Sequence, residues 1–166
     1  MRDGIWKKYE EEVEKRINEL SKSGFYLEIV FLFSAILEEQ IKGLLDVCED
    51  YIKKNIGIKN VQFIPENFIK KDDATLGKLK NYLLIFVDNE DLIKKISTFN
   101  GLRKRVIHKI FSEDIKNLNN AIMKYIPDFY KMMAELAELE RDILLEHNKE
   151  LREAIGQEKY KKLIEK

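Results

Sequence analysis

Apolar residues recur at helical spacing along most of the chain. Trp6, Val13, Ile17 and Leu20 fall on one stripe, with Lys and Glu around the rest, as in an amphipathic helix. Ser21, Ser23 and Gly24 break that stripe. A second helix is predicted from about Phe25 to Asn55. Its first half is apolar on nearly every side, from Phe25 through Ile29, Val30, Phe33 and Ile36 to Leu37. A helix of that kind must be covered on more than one side. One side meets its own bundle, and the other is available to a second copy of the chain.

From Gly57 to Asp73 the period fails, and GIKNVQFIPENFIKKDD reads as a loop. Thr75 is placed to cap a third helix, TLGKLKNYLLIF, and Asp88 or Asn89 a fourth, EDLIKKISTFNGLRKRVIHKIF. The pair Asn100–Gly101 is expected to kink or split the fourth helix. Ser112 is placed to cap the fifth, which Pro127 should bend. Gly156 marks off a short last helix. Strand alternation, hairpin dipeptides and fixed-period repeats are not evident. The expected fold is all-α, an antiparallel up-and-down bundle of four to five helices with an extended C-terminal helix. It forms one domain over 1–166, with a core of about 1–137. Residues 138–166 are expected to form a helical extension, its apolar stripe continuing from Leu136 through Leu139, Ile143, Leu144, Leu151 and Ile155.

Composition narrows the chemistry. The chain carries 30 Lys+Arg and 30 Asp+Glu, for a formal net charge of +0. A global basic field for nucleic acid is thereby excluded, and such binding needs a local patch. One cysteine and two histidines leave no Cys-based or His-rich metal site. Cys48 reads as a small core residue. Phosphate-loop, dinucleotide, H-E-x-x-H and G-x-S-x-G motifs are missing, so no cofactor and no metal is expected. The uncharged stretch Ile29 to Leu37 is too short to span a bilayer. With a charged N-terminus unlike a signal peptide, the chain reads as cytoplasmic, with no membrane role.

One segment stands out. Arg103, Lys104, Arg105 and Lys109 place four cations within seven residues, together with His108, one of the two histidines. His108 exchanges a proton near neutral pH. The two arginines are permanent forked donors suited to phosphate oxygens. Leu102, Val106 and Ile110 give the segment a buried side, so a plain solvated basic stripe is the alternative. Asn100 serves either to orient a phosphate or to cap a break. Glu38 and Glu39 are placed to pair with the basic segment across the bundle, with one of them an ordinary surface charge. His147 lies in a charged helix and reads as a surface histidine.

Arg103 to His108 has the form R-x4-H, and LRKRVIH looks like the LRNRLVH form of HepT-like proteins. The chain in this region resembles HEPN domains (higher eukaryotes and prokaryotes nucleotide-binding). LEEQIKGLL, TLGKLKNYL and SEDIKNLNNAIMKYIPDFYKMM are similar to the helices flanking that motif, so the resemblance covers roughly Phe25 to Ala137. It implies a four- or five-helix domain that dimerises, with two motifs facing across a cleft. Many members are metal-independent endoribonucleases of toxin or defence type, while others bind nucleotides or proteins without cleaving. It also implies an antitoxin or nucleotidyltransferase as a possible partner. The chain departs from the pattern at Lys104, where Asn, Asp or His is frequent. It departs again at Ile110, where HepT-like members carry a tyrosine.

Cleavage of RNA without metal uses the neighbouring 2′-OH as nucleophile. It needs a proton carrier, expected to be His108, and a cation for the phosphorane, expected to be Arg103. Lys104, Arg105, Lys109 and Asn100 are the expected nucleic-acid contacts. Positions five apart point about 140° apart on a regular helix, so Arg103 and His108 of one chain diverge. Either the helix is distorted near Gly101, or residues of two chains build the site around a twofold axis.

Overall fold

A computed structural model describes residues 2–58 and 74–155. These form five helices: α1 Arg2–Lys22, α2 Tyr26–Ile58, α3 Leu76–Phe86, α4 Glu90–Lys109 and α5 Ile115–Ile155. Among the described residues the fold is all-α. The predicted loop around Pro65 and the segment from Gly156 lie outside the described residues.

Each boundary has a local cause. Gly24 has φ 76°, a left-handed conformation that suits glycine. Its N–H donates to the Ser21 carbonyl at 3.2 Å, and the Phe25 N–H donates to that of Leu20 at 2.9 Å. That pair of bonds is the Schellman closure of a helix. α2 continues to Ile58, beyond the Asn55 expected, with Gly57 inside it. Thr75 does hold the N-cap of α3, but its side chain accepts no hydrogen bond. Of the two residues proposed to cap α4, Asn89 does so: its side chain accepts from the Leu92 N–H at 3.0 Å.

Two expectations are corrected. α4 runs unbroken through Asn100–Gly101, because a helical glycine costs only about 1 kcal/mol and buried residues lie on both sides of it. α5 begins at Ile115 and is capped by Asp114, not Ser112. The Lys116 N–H donates to Asp114 Oδ1 at 2.9 Å, while the Ser112 N–H is tied back to the Lys109 carbonyl at 3.0 Å. Ser112 thus belongs to the turn that closes α4. Pro127 lies within α5, which continues past it.

One apolar core draws on all five helices or their first turns, and α2 contacts each of the others. At its centre Phe33 of α2 stacks on Phe129 of α5, ring centroids 3.6 Å apart. Phe99 of α4 closes the group at 5.6 Å from Phe129. Cys48 is buried in this core. Leu139 and Ile143 pack against it as well, so packing along α5 continues past Ala137. Phe25, just before α2, and Phe31 within it remain about half exposed. No helix among the described residues is long and apolar enough to cross a membrane.

Candidate functional site

The basic segment occupies the last two turns of α4. Val106 is fully buried and Leu102 packs on the core, so those residues fix which way the helix faces. Arg103 lies on the flank nearest that buried edge. Its Nη1 sits 3.3 Å from Glu38 Oε1 of α2, both side chains being about one-quarter exposed (26% and 24%). The pair is a charge contact and not an aligned hydrogen bond, because Glu38 Oε1 is buried without a hydrogen-bond donor. The pairing expected of Glu38 across the bundle is therefore present. Glu39 instead pairs within α2, with Lys42 at 3.2 Å.

Since α4 is regular, Arg103 and His108 diverge as helix geometry requires. A distorted helix near Gly101 does not bring them together. Arg103 faces α2, whereas His108 is exposed. Lys104 precedes His108 by one turn and is also exposed, so these two share a face. Asn100 caps no break. It is half-buried, with Nδ2 3.7 Å from where a Cβ on Gly77 of α3 would stand, and so it packs at the α3–α4 crossing.

Arg105 is committed to a carboxylate. Its Nε donates to Glu113 Oε1 and Oε2 at 3.1 and 3.0 Å, and Nη2 donates to Oε1 as well. This forked pair ties α4 to the turn before α5. The hydrogen bond to Glu113 raises the Arg105 pKa further. The same bond holds the Glu113 carboxyl below its ordinary range, with Arg105 and Lys109 adding charge attraction. Lys109 is exposed, and its carbonyl accepts from the N–H groups of Ser112 and Glu113 at 3.0 and 2.9 Å.

Two participants escaped the sequence reading. Glu113 follows Arg105 by eight residues, a spacing that a straight helix would not bring together. Only the turn at 110–114 does so. Phe111 is fully exposed (101%) beside partly exposed Ile107. The signal for it was an aromatic three residues after His108. Among the described residues no group of three or more His, Cys, Asp or Glu side chains gathers as metal ligands. An apolar cavity of about 290 Å³ lies elsewhere, between α1, α2 and α5, lined by Val13, Ile36, Phe129 and Met133 among others.

No protein-family model matches the chain, and neither a curated protein nor a solved structure matches it.

Proposed function

We propose that this chain is a HEPN-like RNA-binding protein of the cytoplasm that pairs with a second copy and cleaves RNA without a metal. One observation carries the reading: His108 stands open to solvent on the face it shares with Lys104, at the exposed end of α4. A proton carrier next to a cation is what a sugar–phosphate strand needs for transfer to its own 2′-OH. Short turns join α3 to α4 and α4 to α5, and the Asn100–Gly77 and Tyr125–Lys95 contacts support antiparallel packing of those pairs.

In the reaction, His108 takes the 2′-OH proton as the 2′ oxygen bonds to phosphorus. The bond from phosphorus to the 5′ oxygen breaks. The leaving oxygen takes a proton from the equivalent histidine of the second copy, leaving a 2′,3′-cyclic phosphate and a 5′-hydroxyl. Arg103 points away from its own His108, so each His108 works with the arginine of the other copy. The contact with Glu38 fixes where that guanidinium stands. Each role contributes on the order of 10²–10³-fold in rate.

The test is cleavage of a structured RNA in EDTA. His108→Ala is expected to abolish cleavage and leave binding largely intact, and Arg103→Ala to slow it by roughly 10²–10³-fold. One observation favours a second reading, a non-catalytic module for nucleotide or nucleic acid: both arginines already have carboxylate partners. Salt-sensitive binding by the wild type without cleavage would select it. Absence of both activities leaves a helical adaptor protein, and a monomeric mass at micromolar concentration removes the composite site.

A further inference from the structure

The turn after α4 presents an apolar surface that the core does not use. Phe111 is fully exposed (101%), with Ile107 (43%) and Ile115 (53%) beside it in sequence. Ile110 keeps right-handed helical angles, and the Glu113 N–H donates to the Lys109 carbonyl at 2.9 Å. The helical path therefore continues through Phe111. On that path Ile107 and His108 lie four and three residues before Phe111, and Lys104 lies seven before it. Those spacings put all of them on one face. At about 100° per residue, Phe111 falls between the directions of Arg103 and His108. An aromatic ring bare to water is thus set beside Lys104 and His108.

We infer that Phe111 is a base-stacking platform, and that this face takes an unpaired base of single-stranded RNA. The inference rests on the RNA reading above and adds to it the class of substrate. Aromatic faces stack any base, and cations beside them track the backbone. A duplex hides its bases from such a ring. An anionic membrane is the other surface that a basic, apolar tip can meet. The same turn carries Glu113 and Asp114, however, and inserting it would desolvate their carboxylates. Stacking leaves both in water.

The experiment uses the full chain, a short single-stranded RNA carrying one 2-aminopurine, and an abasic strand of equal charge. Anionic phosphatidylserine vesicles serve as a control. Wild type is expected to quench the 2-aminopurine on binding. Phe111→Ala should weaken binding of the base-bearing strand by roughly 5- to 150-fold, with Phe111→Trp restoring it. The abasic strand should bind both proteins equally, at the weaker level. Among the described residues nothing covers Phe111, so the alanine variant is expected to fold. Equal binding of the base-bearing strand by wild type and Phe111→Ala overturns the platform and leaves the basic face as a backbone-binding site. Absence of binding to any RNA overturns both readings together. A dimer that becomes monomeric on Phe111→Ala, or Phe111-dependent vesicle binding without RNA binding, reassigns the surface and overturns the platform.

Discussion

The two halves of α4 follow one helical period and end in opposite surroundings. From Glu90 to Phe99 the apolar positions Leu92, Ile93, Ile96 and Phe99 are all buried. From Asn100 to Lys109 only Val106 is, and the outward positions carry Lys104, Arg105, His108 and Lys109. The difference lies in the neighbours. Asn100 packs at Gly77, in the first turn of α3, so the first half of α4 has α3 beside it and the second half passes that helix's start. A helix covered on several sides spends its residues on packing. A helix covered along one edge leaves most of its circumference for chemistry.

Phe99→Ala is the most forceful way to break the covered half. The ring is fully buried against Phe129 and Tyr125. Truncation should cost about 3–5 kcal/mol in chemical denaturation. His108→Ala, in the open half, should change stability by less than about 0.5 kcal/mol. Comparable losses for both variants would abolish the contrast between the halves.

That contrast also decides what the sequence could reveal. Leu92, Ile96 and Phe99 announce their helix and its buried side by period alone, because burial of a stripe is a local pattern. The same logic placed Val106 inside and the cations outside. Gly24 and Asn89 were legible because turn and cap chemistry are local too. What stayed hidden depends on the path between elements. Nothing in the residues near Gly101 says that flanking packing keeps the helix unbroken. The Arg105–Glu113 fork exists only because a turn folds the chain back. Asp114 and not Ser112 caps α5 because the last turn of α4 has already engaged the Ser112 N–H. The exposure of Phe111 follows from where the helices stop covering it, and an apolar residue next to a helix end reads equally well as core.

Tyr125 offers a smaller probe of the covered half. Its hydroxyl donates to the Lys95 carbonyl at 3.1 Å. Burial first, and the charge of Asp128 second, push its pKa up to about 12 from 10.0. A raised value means the folded protein keeps the proton longer than the unfolded chain does. The stabilisation is complete below pH 10 and fades between about pH 10 and 12. Because the side chain is only half-buried, solvent screening reduces the effect to about 1 kcal/mol. Tyr125→Phe should therefore show a shallower loss of stability across that window. Parallel curves for the two proteins would mean that the phenol titrates alike folded and unfolded.

The mildest probe is Glu113→Gln, at the edge of the open half. The hydrogen bond from Arg105 lowers the Glu113 pKa below 4.5. The sign is opposite to that of Tyr125: the contribution is present above the ordinary carboxylate pKa and is lost as pH falls through the lowered value. Acid unfolding of Glu113→Gln should lack that component, a small change because the pair faces water. The variant is more telling as a test of what Arg105 is for. While Glu113 occupies the Nε–Nη2 edge, it withholds that edge and neutralises the charge that a phosphate would meet. Replacing the carboxylate with a neutral amide frees a permanent charge on the face that carries His108. If Arg105 is a phosphate contact, RNA binding should tighten and its salt slope should steepen by about 0.7, the value for one more phosphate on a single strand. An unchanged slope would show that the fork only ties α4 to its turn. Lys104 and Lys109 would then be the cations of the open half that meet a strand.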